Sequence, residues 1–556
     1  MKSKIYISGA VLGSLLMAAC TKLDREFVTT LSQQQVTQNF TYTSNRAAAV
    51  YTHLPLGFLY IDGAMMASAT DEAEHTPDTS TIQNFNSGNW NATANPDDVW
   101  AKYYQGIRDA NLFLESAGNV NLDQWKLNPA LQATYQTNLD LIKKWEYEVR
   151  FLRAYFYFEL VKRYGGVPLL TSSLAISDTG KTRASLADCI KFMTDECDSA
   201  ALNLPATPAN TDLGRATKGA ALALKSRVLL YAASDLFNTP SGSSPALVSI
   251  VGGDRMAQWK AAADAAKAVI DLGTYTLSPD YSTLFSSTNY RNNEVIFATR
   301  SGPANTFEIA SYPIGFDLGQ SGTTPTQNMV DAYEMTDGTP FDWNNPTESA
   351  DPYSNRDPRL GMSVITNNSM FKSRPVEIWA GGRDGKGVTN ATKTGYYLRK
   401  YVNPDLDLLL NTTSVHTWIL IRLGEIYLNY AEALNEYDPG NPDIKLYVDA
   451  VRARPGVNMP GLPGGLSQDQ MRDRIRNERR VELAFEDHRF WDVRRWMIGP
   501  ITEGAPITGV DIQQTAPSSF TYTKVHIEDR YFDPKMYLYP IPQGEVANGL
   551  IQNPLW

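Results

Sequence analysis

The sequence predicts a mainly α fold: tetratricopeptide-like helical repeats beside a loop-rich half that contains short strands. Three observations predict it. Apolar residues recur at the helical period through long segments. Alanines stand at helical spacing beside large apolar residues. Long stretches rich in Gly, Pro, Ser, Thr and Asn separate the helices.

The elements follow in order. Asp97-Asp98 offers a cap and a dipole partner for a helix over Val99–Ala117. A longer helix covers Leu131–Tyr164, where Trp145, Val149, Leu152, Phe156 and Leu160 form one apolar stripe. Gly165-Gly166 ends it and Pro168 prevents its resumption. Further helices are expected at Ser185–Leu202, Thr217–Leu236, Met256–Leu272, Ile419–Tyr437 and Asp443–Arg454, with Ser467–Arg495 as one more, whole or broken. Small and large residues alternate on these faces, as in Ala220, Ala223, Leu224 and Ala232, or Tyr427, Ala431 and Leu434. Alanine lets a partner helix come close while the large residue fills the gap. The irregular stretches are Phe237–Asp254, Arg300–Asn328, Thr336–Arg359 and Gly381–Gly395, with a strand-like piece at Glu294–Thr299. They hold Tyr312, Phe316, Phe341, Trp343 and Tyr353, and loops this long and this aromatic read as ordered binding loops.

Composition narrows the function. The 556 residues are 43% hydrophobic with 11 Trp and 29 Tyr, which excludes disorder as the main state. Lys+Arg 50 against Asp+Glu 60 gives −10, and no basic block stands out. Binding to nucleic acid is set aside, because it rests on cations neutralising phosphates. Cys189 and Cys197 lie eight apart in a helical segment, a rise of about 12 Å, beyond the span of a disulfide. The five histidines are scattered, without metal-site spacing. Asp178-Thr179-Gly180-Lys181-Thr182 ends like a phosphate loop but has Ala175 where the first glycine belongs. Gly319-Gln320-Ser321-Gly322 is the wrong length for a nucleophile elbow. No cofactor and no metal are expected.

Two charged segments stand apart. Asp71-Glu72-Ala73-Glu74-His75 is the tightest polar cluster and reads first as a solvated or hydrogen-bonded loop, second as a ligand-contacting one. In Asn477–Trp496, Glu478, Glu482 and Glu486 share a helix face with Arg474, Arg479 and Arg480 nearby. That pattern reads as an ion-pair network over packed Phe485, Phe490 and Trp491 rather than a catalytic or metal-binding carboxylate row. At the N-terminus, Lys2 and Lys4 precede the apolar Ile5–Ala19, too short for a bilayer span and built like a secretory signal. Leu16-Met17-Ala18-Ala19-Cys20 resembles a bacterial lipoprotein signal, in which Cys20 takes the lipid. The polar stretch up to Tyr42 reads as a tether, giving a signal over residues 1–19, a tether over 20–42, an N-terminal helical region over 43–275 and a C-terminal region over 276–556.

Several stretches together carry a family resemblance. They are Arg150-Phe151-Leu152-Arg153-Ala154-Tyr155-Phe156-Tyr157, Tyr164-Gly165-Gly166-Val167-Pro168-Leu169, Asp331-Ala332-Tyr333 with Asp337-Gly338-Thr339, and Asn355-Arg356-Asp357-Pro358-Arg359-Leu360. Tyr396-Tyr397-Leu398-Arg399-Lys400, Arg422-Leu423-Gly424-Glu425, the Asn477–Trp496 segment and Tyr539-Pro540-Ile541-Pro542 complete the series. In this order, behind a lipoprotein-like start, they resemble the SusD/RagB family of outer-membrane lipoproteins. The chain departs from the family's usual QNPGY ending with Gln552-Asn553-Pro554-Leu555-Trp556. The resemblance implies a surface lipoprotein, anchored in the outer membrane by lipid alone, that binds oligosaccharide or polysaccharide without chemistry. It also implies a SusC-like TonB-dependent transporter as partner, to which the nutrient is delivered. By region rather than by matched motif, it directs attention to Trp90 and Asn91 in Asn84–Asn95, and to Tyr312, Phe316 and Trp343 in the later loops, as ligand contacts. A secreted glycoside hydrolase, a protein–protein scaffold, and a binder of peptide or another nutrient are the alternatives.

Overall fold

The computed structural model describes residues 32–174, 180–208 and 210–556. The signal segment and Cys20 lie outside the described residues, as do Asp178 and Thr179. The helical array begins with α1 (Phe40–Val50), α2 (Trp100–Ser116), α3 (Gln132–Tyr164), α4 (Leu186–Asn203), α5 (Lys218–Ala233) and α6 (Arg255–Ile270). It resumes with α7 (Leu423–Tyr437), α8 (Pro442–Arg452) and α9 (Gln468–Glu482). From α2 onward each helix packs on the next, through α3, α4, α5 and α6, and α1 lies across α2 and α3. α6 then packs directly on α7, which in turn carries α8 and α9. The boundary expected at residue 275 therefore divides the sequence but not the packing, because three helices beyond it rejoin the array.

Local chemistry explains where these helices start and stop. Ser185, Thr217 and Asp254 accept hydrogen bonds from the first-turn amides of α4, α5 and α6, and Ser467 and Gln470 form a reciprocal capping box on α9. The stripe expected on α3 is buried throughout. Gly165 stops α3 at φ 74°, and a Cβ there would lie 2.5 Å from the Leu247 carbonyl, so both its backbone angle and its close contact require glycine.

Two expectations are corrected here. The tether cannot extend to Tyr42: Gln33–Gln38 is a short helix capped by Ser32, and Phe40 packs 5.7 Å from Trp125 and 5.2 Å from Trp145. The helix expected from Ile419 starts only at Leu423. Residues Ser414–Arg422, with their β-branched and aromatic run, form a strand that pairs antiparallel with Val295–Ala304 and places Ile419 opposite Ala298.

The loop-rich half is built from such small antiparallel pieces. In chain order they include β1 (Ala73–His75), β2 (Val295–Ala304), β3 (Thr323–Pro325), β4 (Ser414–Arg422), β5 (Ile507–Ala516) and β6 (Ser519–Glu528). β1 pairs with β3, β2 with β4, and β5 with β6.

A buried charge network joins the two halves. Arg359 donates to Glu478 at 2.6 Å and to Glu482 at 2.9 Å, while Arg422 reaches Glu482 at 2.7 Å, Glu294 at 2.8 Å and Glu486 at 2.8 Å. Arg454 bonds both Glu294 and Glu482, and Lys400 bonds Glu486 at 2.7 Å. The glutamates thus form the expected ion-pair network, but with guanidinium groups from distant segments. Arg474 instead pairs with Glu334, Arg479 with Asp492 and Arg480 with Asp71. The segment is also broken: α9 ends at Glu482, Phe485 and Asp487 take φ 60° and 62°, and a second helix runs Arg489–Arg495. Burial by itself would raise the Glu482 carboxyl, but Arg454, Arg422 and Arg359 outweigh it and hold it down at about 2.

Asp71–His75 is hydrogen-bonded, as the first reading has it, but it is buried rather than solvated. Asp71 is clamped by Arg489 at 2.8 Å and Arg480 at 2.8 Å, and Glu74 by Arg530 at 2.7 Å and Lys393 at 3.1 Å. Among the described residues Glu72 accepts only from the Phe485 amide, at 3.3 Å, and burial pushes its carboxyl up to about 8 against the pull of Arg489. This strand and its flanks are pinned under the α9 region by charge, which is why so polar a stretch is buried.

Candidate functional site

The aromatic residues of the loop-rich half fall into two groups. Tyr312 is fully buried, its hydroxyl donating to the Asn403 carbonyl at 2.5 Å and its ring set edge-on to Phe371 at 5.1 Å. Phe316 packs on the same Phe371 at 5.2 Å, and the Arg374 guanidinium covers its face at 3.6 Å. Both are plugs that hold the 306–320 loop down. As ligand contacts they are corrected: neither ring has a free face.

Trp90 is corrected on the same ground. It is 2% exposed, packed between Phe85 at 5.0 Å, Tyr539 at 5.2 Å and the chain's last residue, Trp556, at 4.7 Å. Trp556 is fixed by its indole N–H, which donates to the carbonyls of Lys535 and Leu538. The departure from the usual ending therefore supplies a large ring that closes this cluster. Asn91 is exposed but turned inward on its own loop, its side-chain oxygen accepting from the Thr93 amide at 2.9 Å and hydroxyl at 2.7 Å.

Trp343 is different. It is half-buried, and its indole N–H donates to Asp331 at 3.0 Å while Phe341 stands edge-on at 5.3 Å. Asp331 is itself held by Gln327 at 2.7 Å and by Lys524 at 2.7 Å. Gln327 accepts from the Tyr396 hydroxyl at 2.5 Å, and Tyr396 lies against Tyr353, with ring centres 6.1 Å apart. Tyr353 meets Tyr522 at 5.3 Å, Tyr522 is followed by Phe520 at 6.5 Å, and Phe520 leans on Trp379 at 5.1 Å with planes 35° apart. An unbroken chain of contacts thus runs from Trp343 to Trp379, along which Trp343, Tyr353, Tyr522, Phe520 and Trp379 are all half-buried.

Local structure sets this arc in place. Phe520 and Tyr522 are two apart on β6, so the pleat puts both on one face, while Thr521 and Thr523 between them are exposed. The Trp379 loop is tied to β5 by the Ala380 amide, which donates to the Ile512 carbonyl at 2.9 Å. The Trp343 loop is closed by the Thr336 amide on the Asn355 carbonyl at 2.8 Å, and the Arg356 guanidinium rests 4.1 Å from the Phe341 ring centre. Rings held in this way present fixed, partly open apolar faces edged by Asp331, Lys524, Lys386 and Asp511, of which the last two pair at 3.2 Å. Such a surface suits a ligand with apolar C–H faces and many hydroxyls. Among the described residues no cluster of His, Cys, Asp and Glu has the arrangement to hold a metal ion.

Trp379, Phe520 and Tyr522 escaped the sequence reading, which placed no strand pair after residue 500. The signal was present: Phe520, Tyr522, Val525 and Ile527 recur near period two after a Pro517-Ser518 turn, a hairpin pattern.

Comparison with known proteins agrees with this architecture. Residues 293–556 match the SusD family model, and residues 35–230 match a family described as starch-binding associating with outer membrane. A SusD-like protein of Formosa agariphila is 22% identical over 420 residues, covering 72% of this chain and 70% of that protein. A SusD-like protein of Bacteroides fragilis superposes with a TM-score of 0.76 at 28% identity, covering 94% of this chain and 99% of the other. A SusD-like carbohydrate binding protein of the same species gives 0.75 at 24% identity, over 92% and 99%. A laminarin binding SusD-like protein gives 0.65 at 22%, over 93% and 100%. With family models matching both halves and one fold running through these structures, the chain belongs to the SusD/RagB family.

Proposed function

We propose that this protein is a cell-surface glycan-binding lipoprotein that captures oligosaccharide on the Trp343–Trp379 arc and passes it to a SusC-like TonB-dependent transporter. The observation that carries the reading is the arc itself: half-open aromatic faces, fixed by hydrogen bonds and by a hairpin, with polar groups at their edges. Relatives named for binding carbohydrate, one of them laminarin, share the fold and support it. Lipid attachment at Cys20 would hold the protein at the outer membrane, an association named in the family description. Among the described residues no helix is long and apolar enough to cross a membrane, which fits an anchor outside them. Binding without catalysis is favoured over hydrolysis because the carboxylates of the Glu478–Glu486 segment are engaged by Arg359, Arg422, Arg454 and Lys400.

The test is migration in native gels cast with a panel of polysaccharides, run for the unaltered chain and for Trp343→Ala and Trp379→Ala. Retardation by one glycan that weakens in both variants supports the reading. Retardation by none, from folded protein, would sink it and favour a non-carbohydrate cargo.

A further inference from the structure

A cavity of about 540 Å³ opens in the loop-rich half, apart from the aromatic arc, between the Ser282–Ser287 turn, the Arg399–Asp405 segment and the start of β4. Its size falls within the range of small-molecule sites. The buried rings of Phe58, Phe285 and Tyr401 line it, and Tyr401 stacks on Trp418 at 5.2 Å with planes 27° apart. Its rim is rich in hydroxyls: Ser282, Thr283, Ser286, Ser287 and Ser414.

Three features of its wall lack an internal explanation. The hydroxyl of Thr417, a residue 2% exposed, is buried with no hydrogen-bond partner among the described residues. A buried polar group left unpaired is costly, and native chains keep few of them. Tyr401 also holds a left-handed φ of 68°, a conformation that a bulky side chain seldom adopts and that concentrates at functional positions. Finally, Arg399 donates to the Met370 carbonyl at 2.9 Å but makes no ion pair among the described residues, and its Nε is buried without a partner. Nearby Arg359, Arg422 and Arg454 are each matched by carboxylates. Lys400, also in the wall, is neutralised by Glu486, while His416 is bonded to Glu308 at 2.8 Å. Asp405 lies exposed on the rim and does not pair with Arg399. Arg399 is therefore the cation of the wall that no carboxylate answers, and Asp405 is a solvated carboxylate at the mouth. Burial lowers the Arg399 pKa with no carboxylate acting against it, in line with that geometry.

We propose that this cavity is a second binding site, for a single sugar unit bearing a carboxylate or a sulfate. Arg399 meets the anionic group, the hydroxyl of Thr417 finds a partner on the sugar, and the serine rim meets its remaining hydroxyls. A guanidinium supplies two parallel donors to such an oxyanion, which is where the selectivity arises. The site stands independently of the aromatic arc and of the glycan that the arc takes.

Calorimetric titration of the purified full chain with D-glucuronate, D-galactose 6-sulfate, D-glucose and inorganic sulfate tests it. The two anionic sugars are expected to bind, and glucose to bind about tenfold more weakly or less, the usual effect of losing a charge-assisted pair. Arg399→Gln removes that preference. Ser287→Trp, a rim change that fills the mouth without disturbing the core, removes binding altogether. Trp343→Ala leaves both sugars bound as before, which separates this site from the arc. Equal affinity for glucose, a preference that survives Arg399→Gln, or no binding of any probe overturns the proposal. So does inorganic sulfate binding as tightly as the sulfated sugar, which would mean a site for a free anion.

Discussion

Two aromatic clusters in this molecule use the same residue types for opposite ends. Around Trp90, the rings of Phe85, Tyr539 and Trp556, with Phe490 behind Phe85, close until Trp90 has no face left. Around Trp343, the rings touch in single file, and polar groups rather than further rings fill the gaps: Asp331 under the Trp343 indole, Gln327 under Tyr396. A closed cluster gains stability from buried apolar area. An open file forgoes part of that area and gains rings held at fixed orientation, which is what a binding surface needs. The difference teaches that an aromatic residue becomes a binding face through what is withheld from its other side.

Substitutions can break or sharpen this contrast. Trp90→Ala is expected to cost about 3–5 kcal/mol of stability, as for other buried tryptophans, with glycan retardation per folded molecule unchanged; chemical unfolding beside gel affinity reads both. Loss of binding at full stability would place Trp90 with the arc instead. Trp343→Ala should do the reverse, weakening glycan binding about tenfold, the equivalent of about 1.4 kcal/mol, while the melting temperature stays within about 1 °C. Trp379→Ala tests whether the far end of the file serves the same ligand. A long glycan should lose affinity in both variants, whereas a short one should respond to Trp343 alone.

A smaller effect than that of Trp90→Ala probes the buried stretch that the α9 region pins. Glu72 has its carboxyl raised from 4.5 to about 8 by burial. The folded chain therefore keeps a proton that the unfolded chain releases, so the residue's contribution is full below pH 4.5 and is lost as pH rises through about 8. Glu72→Gln stays neutral throughout. Its melting temperature should match that of the unaltered chain near pH 4.5 and exceed it by about 2–4 °C above pH 8. A constant offset across this range would show that Glu72 is ionised in the fold.

The motifs that carry the family resemblance prove to be largely architectural. Arg359, Lys400, Arg422, Glu478, Glu482 and Glu486 all meet in the buried network between the halves. Removing one partner there would strand a buried charge, a loss of about 3–5 kcal/mol, so these stretches are recognisable because the fold depends on them. The site residues carry no comparable signature. They sit in loops, where many sequences satisfy the same backbone.

The amino-acid pattern was enough to establish the helices from α2 to α6 and the glycine stop at Gly165, because these depend on neighbours within a few residues, although Val99, rather than the expected Asp97 or Asp98, stands at the N-cap of α2 without a side-chain bond. It was enough, too, to establish the family and to read Glu478–Glu486 as ion-paired. Only tertiary structure decided which arginines those glutamates meet, that residues Ile419–Arg422 pair with β2 as a strand, and that Tyr312, Phe316 and Trp90 are covered while Trp343 stands half open. Those outcomes turn on contacts between segments far apart in the chain, as when Trp556 closes over Trp90. Exposure belongs to whatever arrives on top of a residue, and no local pattern encodes that arrival.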